Sequence, residues 1–348
     1  MRKYRGYLAR FSGWKTCLSF TGRGLFLKII FISLMGSPVP VFSQKPHFSF
    51  TFTGFGDNRE FHNGLSRAQT IFGTLGNAEL GTSIEGHTVA AGISELYEFG
   101  SRIDFHTPQL ILYYKYEDQG LLFQFGSFPR LGRIDLPLAM LADTLLYYRP
   151  QVEGLFGRIA RTWGYQLAFV DWTGRQTETV RESFMAGSSG EIKFGKGFIE
   201  NYLLLNHLAH ALTKPEGQHI KDYFGFSVLA GIRCANENRL SGYLKGGILT
   251  SLYRERSVTN GFIDSHSLIL EGYGQYRNYA VKTILHSGGE HHFALGDPFY
   301  RFGNYWRSDL IWIFFRHKQV QARFNWSFHV VNRKNLDHSQ QLKVVVSL

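Results

Sequence analysis

Residues Val320 to Val330 read VQARFNWSFHV, and this stretch decides the fold. Val320, Ala322, Phe324, Trp326, Phe328 and Val330 alternate with Gln321, Arg323, Asn325, Ser327 and His329, without a miss over eleven residues. A β-strand sends successive side chains to opposite faces, so one face here is wholly apolar and the other wholly polar. A tilted strand crossing a hydrocarbon slab needs about 9–11 residues, whereas strands of soluble proteins average about 5–6.

The same alternation recurs upstream. It appears at Phe224, Phe226, Val228, Ala230 and Ile232, and at Phe48, Phe50 and Phe52. It is blurred but present at Leu110–Tyr116, Leu121–Phe125, Trp163–Phe169 and Trp306–Phe314, and the chain closes on Leu342, Val344, Val346 and Leu348. Turn chemistry separates these runs at 117–120, 171–174, 188–190, 236–238, 259–261 and 332–335, where Gly, Asn, Asp and Ser cluster. The spacing predicts roughly 14–16 strands of about ten residues. Ser127–Pro150 breaks the pattern with Pro129, Pro137 and Pro150 and reads as a loop or short helix.

Composition narrows the class. Charged residues are 19% and aromatics 16% of 348 residues, the reverse of a disordered chain. Two cysteines exclude a disulfide scaffold or a multi-thiolate metal site. The net charge is +11, but residues 1–43 carry seven basic residues and no acid, leaving +4 for the rest. Basicity held in a leader rather than on a folded face argues against a nucleic-acid partner. That leader joins basic residues to the apolar run Ile29–Met35 and to Val41-Phe42-Ser43, the pattern of a signal peptide cleaved before Gln44. The expected organisation is therefore a signal peptide at 1–43 and a barrel at 44–348.

Export, long alternating strands, aromatic load and an alternating C-terminal strand favour a membrane barrel over a soluble sandwich. Tyr113-Tyr114, Tyr147-Tyr148, Trp306 and Trp326 are candidates for interfacial girdles. Backbone groups in lipid have no water to bond, so strands cross only as a closed barrel. The expected fold class is all-β: a closed antiparallel transmembrane β-barrel of about 14–16 strands. Arg233, Arg323, Lys115, Lys282 and Glu271, all within strands, must then face the lumen, because an Arg toward lipid at mid-bilayer costs about 2–4 kcal/mol.

The segments FGDNRE (Phe55–Glu60), DTLLYYRP (Asp143–Pro150), DWTGRQTETVRESF (Asp171–Phe184) and GDPFYR (Gly296–Arg301) resemble those of porin-like outer-membrane β-barrel proteins of Gram-negative bacteria. The resemblance spans about residues 46–348 and implies fold, outer-membrane location, lipid contact and delivery by the barrel assembly machinery. It implies no substrate. Such barrels usually end in Phe or another aromatic, and this chain ends in Leu348.

Several groups are candidates for chemistry. His47/Ser49 and Ser327/His329 have the two-residue spacing that places a hydroxyl beside a base on one strand face, but their neighbours Phe48 and Phe328 turn both pairs to the lumen, away from lipid. His286–His292 is the densest titratable cluster, and its Gly288-Gly289 favours a solvated loop over a metal site. Asp297 and Arg301 would pair across a turn. Asp57, Arg59 and Glu60, and likewise Asp171, Arg175, Arg181 and Glu182, suit a charged mouth. Ser127–Pro150, with Arg130, Arg133, Asp135, Asp143 and Arg149, is a constriction if it folds inward and a mere connection if it packs as a turn. The expected pore-lining or mouth residues are Arg130, Arg133, Asp135, Arg149, Arg233, Arg323, Lys115 and Lys282. The expected function is passive diffusion of small polar solutes, with a slight anion preference, and no cofactor. A lipid-modifying barrel enzyme and a closed structural barrel are the alternatives.

Overall fold

The computed structural model describes residues 45–101, 107–236, 240–332 and 335–348. The expected leader lies outside these residues, as do parts of the expected turns at 236–238 and 332–335. Among the described residues, sixteen strands run in chain order: β1 (Lys45–Glu60), β2 (Gln69–Ile84), β3 (His87–Glu98), β4 (Gln109–Asp118), β5 (Leu121–Pro129), β6 (Gln151–Arg161), β7 (Gly164–Gly174), β8 (Ser183–Phe194), β9 (Gly197–Leu208), β10 (Lys221–Asn236), β11 (Leu240–Glu255), β12 (Ile263–Tyr276), β13 (Tyr279–Gly288), β14 (Asn304–His317), β15 (Val320–Val331) and β16 (Asn335–Ser347). Each pairs antiparallel with its neighbours in sequence, and β16 returns to β1, so the sheet closes. Phe50 and Leu348 exchange backbone hydrogen bonds of 3.1 and 2.8 Å at that seam, so the terminal Leu is held in the ladder.

Alternation sorts the wall as the sequence predicts. On β15, Ser327 and His329 are buried inside while Trp326 is exposed outside. Phe48, Phe72, Leu112, Phe125, Leu244 and Leu268 continue the exposed apolar belt around the barrel. Trp306 and Trp326 are outward as girdle residues should be. Tyr113 and Tyr147 are not: Tyr113 donates to Glu79 inside the barrel, and Tyr147 is buried there against Phe55, so neither contributes to a girdle. Ser188-Ser189-Gly190 is likewise no turn but the middle of β8. Its small residues sit under the Gln166 side chain, which donates 2.7 Å to Ser188 Oγ, and a Cβ at Gly190 would fall 2.0 Å from the Gln166 amide.

The two rims differ. At the rim where β1 starts and β16 ends, two-residue connections join β2 to β3, β4 to β5, β6 to β7, β8 to β9, β12 to β13 and β14 to β15. The β4–β5 turn has positive φ at Gln119 (40°) and Gly120 (82°), the geometry that follows strand twist. A Cβ at position 120 would lie 2.4 Å from the Ala160 carbonyl, so glycine is required there. The opposite rim carries the long connections. In outer-membrane barrels short turns face the periplasm and long loops the exterior.

Two long connections fold into the lumen. Residues 130–150, which include the single-turn helix α1 (Leu145–Tyr148), bury Ile134, Leu136, Met140 and Leu145 against Leu229, Leu249, Ile269 and Ile284 of the wall. Residues 289–303, with a 3₁₀ turn at Pro298–Arg301, bury Phe293, Phe299 and Tyr300 in the same cluster. The segments join each other: Ala142 N–H donates to Leu295 O (2.8 Å) and Asp297 N–H to Leu138 O (2.9 Å). Glycine makes the crossing fit, since a Cβ at Gly296 would meet Ala139 O at 2.0 Å. The core of this protein is therefore inside the barrel, in its outer half.

Candidate functional site

The lumen beside this apolar packing is charged. A ladder of ion pairs climbs across β8 to β13. Glu191 pairs with Arg233, Arg233 lies 3.8 Å from Glu200, and Lys245 bridges Glu200 (2.9 Å) and Glu271 (3.4 Å). Lys282 completes it at 3.2 Å from Glu271. The carboxylates and cations neutralise one another, which is what allows so many charges within a protein wall. Asp135 reaches this ladder from the inward segment, where burial pushes its carboxyl pKa up and Lys282 and Lys245 pull it back.

The β15–β16 sector is different. Arg323 and Lys343 stand directly opposite each other in register and both face the lumen. Arg323 Nε has no hydrogen-bond partner, and the Lys343 ammonium lies 5.5 Å over the Tyr147 ring. Among the described residues, neither forms an ion pair. Like charges directly opposite on a sheet repel. A solute anion between them would relieve that repulsion.

These two residues line both of two cavities. One cavity, about 920 Å³, runs from Leu65, Arg67 and Gln69 at the outer rim to Arg323 and Lys343. A second, about 510 Å³, runs from Arg323 and Lys343 to Lys318, Gln319 and Ser347 at the other rim. Arg59 borders the larger cavity, donates to Asp57 at 2.5 Å and forms an ion pair with Asp143 at 3.8 Å, tying the inward segment to the wall.

The sequence candidates separate accordingly. Asp135, Arg233, Lys282 and Arg323 line the larger cavity. Lys115 faces inward but pairs with Glu117 (3.1 Å) near the short-turn rim. Arg133 bonds Gln124 at 2.5 Å, and Arg149 bonds the Thr173 carbonyl. Arg130 lines nothing: it is 1% exposed and holds Asp171 at 2.5 Å, with further bonds to the Arg149 and Gln151 carbonyls. Its long side chain serves as a buried pin between β5 and β7 where the inward segment departs, which removes Arg130 and Asp171 from the mouth. Arg181 is also structural, bonding the Leu208, Ala209 and His219 carbonyls.

Two histidines of the cluster, His286 and His291, are buried, whereas His292 is exposed. His286 and His291 are 2% and 1% exposed. His291 bonds Ser251 Oγ through Nδ1 and Ser267 Oγ through Nε2, each at 2.7 Å, and so fastens residues 289–303 to β11 and β12. Burial lowers its pKa to about 3. Asp297 does not pair with Arg301; it caps the 3₁₀ turn by accepting from Phe299 N–H at 3.1 Å and lies 3.9 Å from Arg307. Burial raises its pKa to about 6. Among the described residues no group of three or more His, Cys, Asp or Glu is placed to hold a metal ion.

Ser327 and His329 lie inside, where His329 Nδ1 bonds Tyr305 Oη at 2.7 Å. Sequence reading missed a different hydroxyl–imidazole–carboxylate series. Thr250 Oγ1 lies 3.0 Å from His266 Nδ1, and His266 Nε2 lies 3.1 Å from Asp264. All three face outward, since Leu249, Ser251 and Ser267 beside them point in. Asp264 and His266 show the two-residue spacing, but Thr250 joins them only through the β11–β12 register.

Sixteen long strands, an apolar outer belt, a charged lumen and one rim of tight turns define an outer-membrane β-barrel protein. Solved structures agree. Pseudomonas aeruginosa OccK5 (OpdH) matches with a TM-score of 0.55 at 13% identity, covering 87% of this chain and 98% of that one. P. aeruginosa OccK2 (OpdF), crystallised in complex with glucuronate, matches at 0.52 and 10% over the same shares, and OpdK, crystallised with vanillate, at 0.51 and 10%. At such identities the likeness is one of fold. The chain belongs to the lipid A 3'-O-deacylase-type family, whose profile matches residues 40–347. No curated protein sequence matches it.

Proposed function

We propose that this protein is a narrow outer-membrane channel for small polar solutes that favours anions. The observation that carries this reading is that the unpaired cations Arg323 and Lys343 line two cavities, one reaching toward each rim. A cation pair without a counter-charge is a low-affinity site that an anionic solute enters and leaves, as conduction requires. The inward segments 130–150 and 289–303 fill much of the lumen, so the passage suits small solutes. The fold-neighbours crystallised with glucuronate and vanillate bind small organic acids, which supports the same class here. Liposome swelling with isotonic small organic anions tests it: faster swelling for an anion such as glucuronate than for a cation of equal size is expected, and equal or absent swelling contradicts it.

A second reading has its own observation. Thr250, His266 and Asp264 are arranged as nucleophile, base and orienting group on the outer face, where a lipid ester would arrive, and family membership points to lipid acyl chemistry. Mass spectrometry of lipid A from cells expressing wild type and Thr250→Ala decides it. A shift of one acyl chain that vanishes in the variant supports this reading; identical lipid profiles with and without the protein remove it.

A further inference from the structure

The larger cavity carries opposite charge at two levels. Toward the long-loop rim, four carboxylates share two guanidinium groups. Arg59 holds Asp57 at 2.5 Å and reaches Asp143 at 3.8 Å, and Arg307 holds Asp309 at 2.8 Å and reaches Asp297 at 3.9 Å. All six line the cavity, and Arg67 stands beyond them at the rim, exposed to solvent. Each guanidinium cancels one carboxylate, so this level keeps negative charge. Asp143 and Asp297, the loosely held acids, both belong to the inward segments, and the Asp143 side chain is 43% exposed. The surplus is felt locally. Burial holds the Asp297 carboxyl up at about 6 although Arg307 pulls it down, and Asp143 adds to the rise.

The positive charge lies further in. Asp57 is level with Gln341, Asp309 with Ser327, and Arg323 with Lys343. Lys343 follows Gln341 by two residues and Arg323 precedes Ser327 by four, each toward the short-turn rim. At about 3.3 Å per residue, roughly 7–13 Å of strand separates the acidic level from the basic one. Tyr147 sits at the border. The Gln341 amide donates to Tyr147 Oη at 3.1 Å and to Asp57 at 3.5 Å, and the Lys343 ammonium lies 5.5 Å over the Tyr147 ring. The basic level is the pair without ion-pair partners, and the acidic level is the one with surplus carboxylate. A plain anion gains at the inner level and is repelled at the outer one. A plain cation meets the reverse. A molecule that carries both charges, cation outward and anion inward, gains at each.

We propose that the preferred solute is amphoteric, a small amino-acid-like molecule with one ammonium and one carboxylate, and that Asp143 selects the ammonium while Arg323 and Lys343 select the carboxylate. This rests on the reading of the barrel as a channel and narrows its solute class. Asp143 is the acid suited to the role, because its side chain is open to the cavity and its only ion pair is a long one.

The test follows labelled alanine, its uncharged isomer lactamide, and lactate into vesicles holding the full refolded chain, with uptake by protein-free vesicles subtracted. Alanine is expected to enter about tenfold faster than lactamide, the low end of what a charged cleft adds to encounter rates. Asp143→Asn should slow alanine severalfold and speed lactate, because it removes a carboxylate that attracts the ammonium and repels the anion. Arg323→Gln/Lys343→Gln should slow both. A merely loosened inward segment would speed all three solutes, so the opposed shifts in Asp143→Asn are specific to charge. Alanine entering no faster than lactamide overturns the amphoteric assignment, and this arm needs no variant to fold. Lactate uptake in those same vesicles would then leave the channel standing. Entry of none of the three overturns channel and assignment together. Alanine and lactate moving in the same direction in Asp143→Asn overturns the role of Asp143.

Discussion

Among the described residues, Arg130 is the largest fully buried side chain. Its guanidinium and the Asp171 carboxylate are both withdrawn from water, and each is the other's charge partner. Removing one strands the other, which costs about 3–5 kcal/mol in buried pairs, whereas replacing both with apolar groups of similar volume is often neutral. Asp171→Ala is therefore expected to lower the urea midpoint of unfolding in lipid vesicles sharply, and Arg130→Met/Asp171→Leu to recover most of it; equal midpoints for wild type and Asp171→Ala would contradict the pin. Sequence reading placed Arg130 and Asp171 at a charged mouth because both lie beside loops. Their burial depends on a partner 41 positions away along the chain folding back, which no local pattern reveals. Arg323 was legible, because strict alternation on both sides leaves it one face to occupy.

At the scale of elements, the strands were readable, the inward course of residues 130–150 was one of two alternatives, and that of residues 289–303 was not readable. A period of two is local and survives even where glycines blur it. The destination of residues 289–303 is set by Ser251 and Ser267 on other strands, so a stretch that looks like a hydrated His-rich loop is a buried fastener. Two of its titrating groups, His291 and Asp297, oppose each other. His291 is held near 3, below the ordinary histidine value, so its contribution to holding the segment is complete above about 6.5 and is lost as pH falls. Asp297 is held near 6, above the ordinary aspartate value, so its protonation tightens the segment as pH falls through 6. Amide hydrogen exchange of residues 289–303 should stay nearly flat from pH 6 to pH 4 in wild type after correction for intrinsic rates. Asp297→Asn should unmask progressive loosening below about pH 6.5, and His291→Gln the reverse trend. Parallel curves in all three would refute the assignment. The joint between the two inward segments gives a further expectation: Gly296→Val cannot fit against Ala139 O, so it should loosen the crossing and raise conductance. An unaltered or smaller conductance would show that the segments do not restrict the passage.

For the whole molecule, fold and location follow from one constraint, that every backbone polar group in lipid must be bonded within the protein. The closed register from β1 to β16 meets it, and charged residues such as Arg233 and Glu271 then have to share the interior. What the interior does depends on which charges remain unpaired once the ladder from Glu191 to Lys282 has cancelled, and that balance is visible only in three dimensions. The whole-chain excess of +4 beyond the first 43 residues gave only a faint hint of it. The concentration of unpaired cations at Arg323 and Lys343 is a stronger basis for anion preference. Reversal potentials under a salt gradient should show anion selectivity in wild type and its reduction in Arg323→Gln/Lys343→Gln; a cation-selective wild type would count against this.

The most direct measurement is single-channel recording of the purified, refolded chain in planar lipid bilayers. Discrete conductance steps, small for a barrel of sixteen strands and larger once residues 289–303 are released by Gly296→Val, are the expected result. A correctly folded, heat-modifiable barrel that inserts and stays electrically silent, in wild type and variant alike, would contradict the channel.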